Sequence, residues 1–301
     1  MNLNIYYNAE YNAPELNCET FAKSRYIAKA IGEIPELGEF VKVKDPSERG
    51  GALGKAERLI RNAITPEYLR ALMVGEPRHL AESNGFDWDR GVFQSVLNST
   101  AGIICATDDV LGGYEQSCSL SSGLHHARAE AGAHFCTVNS LAIGAMYAAS
   151  QGKRVAVLDL DAHFGGGTYS YAKTSLHPFR IVDLSLSDLD TYNPYPGIGI
   201  AIKANTNNYE AQLEDVFAIL DSMSPEIVFY NAGVDVYPYI SAERVVSREA
   251  RVVETIRNIG AKTVIVMAGG YGKYENIVPL HLSTIMSFAH PQMLSTGLRV
   301  A

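Results

Sequence analysis

The sequence predicts a single α/β domain with a mainly parallel sheet flanked by helices. Two observations lead there: apolar runs of strand length alternate with amphipathic stretches of helix length, and the polar groups suited to chemistry gather where those runs end. In chain order, AERLIRNAITPEYLRALM (56 to 73) has helical character, and AGIICAT (101 to 107) is left open between strand and helix. VNSLAIGAMYAASQG (138 to 152) has helical spacing and closes at Gly152, a residue suited to the position after a helix. KRVAVLDLD follows as a strand, with Val155, Val157 and Leu158 suited to a parallel-sheet interior. FRIVDLSL (179 to 186) is strand-like. YEAQLEDVFAILDSM (209 to 223) places Leu213, Val216, Phe217 and Leu220 on one helical face and ends before Pro225. EIVFYNAGVD is the next strand, SREARVVETIRNIG a helix closed by Gly260, and TVIVMAGGYG a strand running into a glycine turn. With no repeat, low-complexity tract or linker, residues 1–301 are expected to form one domain.

Composition supports a large core: 47% of the 301 residues are hydrophobic and 19% charged. A formal net charge of -8, without a Lys/Arg cluster, argues against nucleic-acid binding, which needs clustered cations to neutralise phosphates. The start, MNLNIYYNAEY, has neither a basic nor an apolar leader segment, and no apolar run approaches membrane-spanning length, so a cytoplasmic protein is expected. The four cysteines (Cys18, Cys105, Cys118, Cys136) form no CxxC pair and are expected to be inert thiols.

Ligand sites in open α/β sheets form beyond the carboxyl ends of the strands. VAVLDLDAHFGGGT ends in Asp159, Asp161 and His163, and EIVFYNAGVD ends in Asp235. Asp161 and His163, two apart in extended backbone, point to one side. With Asp235 they make three protein ligands with a position left for solvent, the arrangement of a catalytic zinc. A single strand-end aspartate is more often a helix cap or turn former, but the combination outweighs that reading. His125 and His126 in GLHHARAEAGAHFCTVN are candidate acid/base groups, since imidazole titrates near neutrality. In AGGYG, Gly269 and Gly270 allow a sharp turn beside a ligand, and Tyr271 offers a hydroxyl to the substrate. No phosphate-loop pattern is present.

LHHA with FCTVN, then DLDAH, NAGVD and GGY, in this order, resemble the zinc-dependent histone deacetylases and acetylpolyamine amidohydrolases of the arginase/deacetylase fold, from about residue 60 to about 275. The resemblance implies an eight-stranded parallel sheet and removal of an acetyl or other acyl group from an amine such as the lysine side chain. It implies one Zn2+ held by Asp161, His163 and Asp235, with His126 as general base, His125 beside the attacking water, and Asp159 orienting His125. Tyr271 would hydrogen-bond the scissile carbonyl. Phe135 and Tyr195 would wall the substrate tunnel, with Gly269 and Gly270 at its turn. A structural K+ would lie among the Ser185 hydroxyl and the backbone carbonyls of Asp159, Asp161, His163 and Leu186.

Several positions depart from that pattern. DAHFGGG stands where relatives carry DxHHGNG or DxHHGDG, so Phe164 replaces a histidine and Gly166 replaces the residue expected to orient His126. His134 replaces a small residue, and Tyr237, Pro238 and Tyr239 replace a GDP segment. Gly165 lacks the carboxylate that an arginase-type two-manganese site needs, which places that alternative lower. Gly166 motivates another, a zinc-bound acyl-amine binder with little activity. Glu82, Asp87, Asp188 and Asp190 are candidate rim carboxylates for a cationic substrate, although carboxylates of an acidic protein are usually just solvated. The chain looks too compact for the entrance loop of the acetylpolyamine enzymes, which tilts the expected substrate toward acetyl-lysine. The sequence leaves the oligomeric state open.

Overall fold

The computed structural model describes residues 3–12 and 19–290. Its strands are β1 (Leu3–Tyr6), β2 (Val41–Lys44), β3 (Gln116–Ser119), β4 (Val155–Asp159), β5 (Arg180–Ser185), β6 (Gly199–Lys203), β7 (Ile227–Gly233) and β8 (Lys262–Ala268). They form one eight-stranded sheet in the order β2-β1-β3-β8-β7-β4-β5-β6, every pairing parallel.

Alternate residues of the central strands feed two separate cores, as a strand's period of two requires. Ala156, Leu158, Val228, Tyr230, Ile265 and Met267 face one layer of helices. That layer consists of α1 (Glu19–Glu33), α8 (Tyr209–Ser222), α9 (Ala242–Ile259) and α10 (Tyr274–Ala289). Val155, Val157, Ile227, Phe229, Val264 and Val266 face the other. There lie α2 (Ala52–Ala63), α5 (Val92–Leu111), α6 (Ser140–Ser150) and α7 (Gly166–Thr174). The short helices α3 (Pro66–Val74) and α4 (Arg78–Ala81) complete the described α-helices. Coverage on both faces explains why the central strands read as continuous apolar runs.

The helix α8 buries Leu213, Val216, Phe217 and Leu220, as its periodicity predicts, and Gly152 and Gly260 adopt the positive φ of helix ends. AGIICAT lies inside α5, where it is buried on every side. The helical stretch 56–73 is two helices, because Thr65 caps the second and Pro66 cannot continue the first. The helix ending at Gly260 starts earlier than its sequence pattern suggests, at Ala242. Cys105, Cys118 and Cys136 are buried free thiols, while Cys18 lies outside the described residues. No helix among the described residues is long and apolar enough to cross a membrane.

Candidate metal centre and active site

The chain leaves β4 at Asp159 and β7 at Gly233, neighbouring strands that end together. Asp161, His163 and Asp235 therefore meet, each offering a ligand atom within 4.8 Å of the others; no other such cluster of His, Cys, Asp or Glu is found among the described residues. The imidazole Nδ1 of His163 is 3.1 Å from Asp161 Oδ1 and 3.0 Å from Asp235 Oδ2. The second contact is not aligned as a hydrogen bond, so Asp235 Oδ2 is a buried acceptor without a hydrogen-bond partner. The flanking carboxylates of Asp161 and Asp235 hold His163 up at about 10, above its ordinary 6.5. Burial, with the Asp161 charge adding to it, pushes Asp235 up to about 6. A proton on the imidazole thus balances carboxylates that a cation would satisfy better. Two carboxylates, one of them with an orphaned oxygen, and one imidazole fit a divalent ion with mixed N and O ligands, as zinc accepts.

Below this centre a fully buried arginine braces both ligand-bearing turns. Arg248 of α9 donates to the carbonyl of Leu160 (3.1 Å) and that of Gly233 (2.8 Å), next to Asp161 and two residues before Asp235. Glu249, also buried, accepts from Arg248 Nε at 2.8 Å and from the Tyr230 hydroxyl at 2.9 Å. Neither residue was singled out from sequence. The signal available was an Arg-Glu pair within the apolar face of an amphipathic helix.

The strand register aligns a second polar row. Asp159 pairs with Asp183 on β5 and Asn231 on β7. Asp159 Oδ2 lies 2.7 Å from His125 Nδ1, and Asn231 donates to Asp159 Oδ1 at 2.8 Å. Asp183 accepts from the Gly165 amide at 2.7 Å, which holds the glycine loop down. Asn231 and Asp183 were also missed, although a polar residue inside an apolar strand is itself a signal. Burial lowers the affinity of His125 for a proton, but the charges of Asp159 and Asp161 outweigh it and raise its pKa well above the ordinary value.

His126 has a carboxylate partner that the DAHFGGG loop does not supply. Its Nδ1 is 2.9 Å from Asp190 Oδ2, and Arg128 pairs with the other oxygen of that carboxylate. Asp190 is therefore not a rim carboxylate: its side chain is 5% exposed. Two other proposed rim acids are engaged as well, Glu82 with the Trp88 amide and Arg78, and Asp188 with Lys203. The two histidines face each other with Nε2 atoms 3.1 Å apart. Burial, with the nearby His125 charge, holds His126 down to about 4.

His125, His126, Asp161, Phe135, Gly269 and Tyr271 line one cavity. Phe135 is 45% exposed at its mouth. Tyr195 does not line it. It is 64% exposed, and its amide is tied to the hydroxyl of Tyr169, a residue of α7, at 2.9 Å. Gly269 and Gly270 both have positive φ, and a Cβ on Gly269 would lie 2.6 Å from Asp235 Oδ1. Gly270 lies behind the lining, against Ile277 and His281. The Ser185 hydroxyl lies 2.7 Å from the carbonyl of Ala162 and 2.8 Å from that of Ser187, able to donate to either, beside the turn that carries His163. The amide of Leu186 donates to the same Ala162 carbonyl at 3.0 Å.

Fold and site together define an α/β protein with a candidate mononuclear metal centre at the carboxyl edge of its sheet. Residues 56–284 match the model of the histone deacetylase domain, and the chain belongs to that family. It is 28% identical over 227 residues to an uncharacterized protein of Picosynechococcus, covering 69% of this chain and 73% of that one. It is 32% identical over 219 residues to a probable deacetylase of Archaeoglobus fulgidus, covering 68% and 56%. With an acetylpolyamine amidohydrolase of Burkholderia pseudomallei it shares 28% identity over 233 residues, covering 68% and 66%. The crystal structure of an acetylpolyamine aminohydrolase from the same organism superposes with a TM-score of 0.75 at 18% identity, covering 96% of this chain and 99% of that one. At that identity the likeness carries the fold.

Proposed function

We propose that residues 1–301 form a single histone-deacetylase-like domain acting as a zinc-dependent amidohydrolase, which removes an acetyl group from an amine such as the lysine side chain. The observation that carries the reading is that one cavity holds a histidine pair backed by carboxylates, a tyrosine hydroxyl, and an edge of the Asp161, His163 and Asp235 cluster. Those three residues would hold the zinc. When bound, it supplies polarisation of the amide carbonyl and a water of lowered pKa.

His126, neutral at pH 7, accepts a proton from the attacking water. Asp190 keeps its Nδ1 as the donor side, so the proton arrives at Nε2, the atom that faces His125 Nε2 at 3.1 Å. His125, held by Asp159, keeps a positive group beside the developing charge. The Tyr271 hydroxyl donates to the carbonyl oxygen as it becomes an oxyanion. The histidine pair returns a proton to the leaving amine, so that water and amide become a carboxylic acid and a free amine. Phe135 packs along the substrate's narrow stem.

The potassium assignment belongs to the same proposal: the Ser185 hydroxyl and the carbonyls of Asp159, Asp161, His163 and Leu186 would hold K+ as a structural ion. So does a cytoplasmic location. An acetyl-lysine substrate is favoured over an acetylated polyamine because Asp190, one of the candidate rim carboxylates, is buried against His126 and Arg128 rather than offered to a cation. A two-metal centre is disfavoured, since a Cβ at Gly165 would meet Asp159 Oδ2 at 2.7 Å, which leaves no room for a carboxylate there.

Elemental analysis of the purified protein, with turnover of acetyl-lysine peptides, acetylated polyamines and longer acyl-lysines, tests the reading. One zinc per chain and hydroxamate-sensitive hydrolysis of acetyl-lysine is the expected result. Two manganese ions per chain, or no hydrolysis of any acylated amine, refutes it.

A further inference from the structure

Gly166 and Asp190 compete for the same space. A Cβ added at Gly166 would lie 2.5 Å from the Asp190 carbonyl oxygen, 2.5 Å from Oδ1 and 2.7 Å from Cγ, all inside van der Waals contact. The Asp190 carboxylate enters that space from the loop between β5 and β6. Its backbone has φ 56°, a left-handed conformation that Asp tolerates better than most residues. Once there, one oxygen meets His126 Nδ1 at 2.9 Å and the other pairs with Arg128. Arg128 also donates to the His126 carbonyl at 3.2 Å, so one Arg-Asp pair grips both the ring and the peptide of His126.

The neighbouring departure belongs to the same arrangement. The Phe164 amide donates to the Leu189 carbonyl at 3.2 Å, and its ring meets Tyr192 edge-on at 6.1 Å. Phe164 thus ties the turn after β4 to the loop that delivers Asp190.

We propose that Asp190 is the positioning residue for the general base, supplying from the β5–β6 loop the carboxylate that position 166 does not provide, with Gly166 required as glycine to admit it. This rests on reading His126 as the base of the hydrolase above. A carboxylate on Nδ1 fixes the ring orientation and the tautomer, and such outer partners commonly affect activity by roughly 10- to 100-fold. It also removes the ground for regarding the chain as a binder that has lost its catalytic support.

Long-range 1H–15N spectra of the metal-free protein, with His126→Gln for assignment, read the tautomer without reference to turnover. The Nδ1–H form is expected in the wild type, and a mixture of tautomers in Asp190→Ala. With acetyl-lysine peptide, Asp190→Ala is expected to lower kcat by roughly 10- to 100-fold at nearly constant KM. Asp190→Asn, which keeps the acceptor but not the charge, should fall between the two. Gly166→Asp alone should be inactive, and Asp190→Gly with Gly166→Asp should recover part of the lost kcat by restoring a carboxylate from the other loop.

An Asp190→Ala protein with the wild-type tautomer and kcat overturns the proposal, as does a folded double variant with no recovery. Should the double variant not fold, the Asp190→Ala and Asp190→Asn spectra decide. If the wild type hydrolyses no acylated amine, the hydrolase reading fails, while the tautomer comparison still judges the role of Asp190.

Discussion

Arg248→Met tests whether the metal centre depends on the buried brace beneath it. The guanidinium is 1% exposed and donates to Leu160 O, Gly233 O and Glu249 Oε1 at 3.1, 2.8 and 2.8 Å. Methionine fills much of the volume and makes none of these bonds. Glu249, 0% exposed, would keep the Tyr230 hydroxyl as a partner but lose its cation. Removing one member of a buried ion pair costs about 3–5 kcal/mol, because the charge left behind has neither water nor counter-ion. At about 2–4 °C per kcal/mol for a domain of this class, the melting temperature should fall by roughly 6–20 °C. Arg248→Met with Glu249→Gln removes the stranded charge and should recover a good part of that loss. Circular dichroism melts of the metal-free proteins read the stability, and zinc competition against a chromophoric chelator reads the centre. Both Arg248 variants should bind zinc more weakly than wild type, since the carbonyls preceding Asp161 and Asp235 lose their shared donor. A single variant melting within about 2 °C of wild type with unchanged zinc affinity would refute the brace.

The other predictions concern the centre itself. Tyr271→Phe should lower kcat by about 10²-fold or more with the melting temperature unchanged, as expected for an oxyanion donor, and steady-state kinetics on acetyl-lysine peptide would show it. Gly269→Ala places a methyl group 2.6 Å from Asp235 Oδ1 at a φ of 61°, so zinc affinity should fall in the same competition assay. His163 in the metal-free fold is held at about 10, above its ordinary 6.5, so at any pH below about 10 zinc must displace a proton. Zinc affinity should therefore rise with pH across that window, with proton release visible by calorimetry in buffers of different ionisation enthalpy. The same proton stabilises the metal-free fold fully below about pH 6.5, and that contribution is lost as pH rises through about 10.

The elements read correctly from sequence were those whose cause is local. The face of α8 follows from a period of 3.6, the helix stops at Gly152 and Gly260 from their backbone freedom, and β4, β5, β7 and β8 from short apolar runs. The strands β1, β2, β3 and β6 escaped because each is only four or five residues and carries polar groups, as in VKVK and QSCS. Pairing with neighbours, more than propensity, makes them strands.

At the site, the sequence by itself determined the residue types and their place at strand ends: Asp159, Asp161, His163, Asp235, the His125–His126 pair and the glycine turn before Tyr271. Whether those groups meet, and what holds them, depends on register and on loops that share no local signal. Asp159 finds Asn231 across 72 positions because β4 and β7 pair in one register. His126 finds Asp190 across 64 positions because the β5–β6 loop turns a carboxylate into the space beside a glycine. Seen in the chain alone, Gly166 marks a missing partner; only tertiary packing shows that it makes room for one, since a hydrogen bond is set by distance in space and not by position along the sequence.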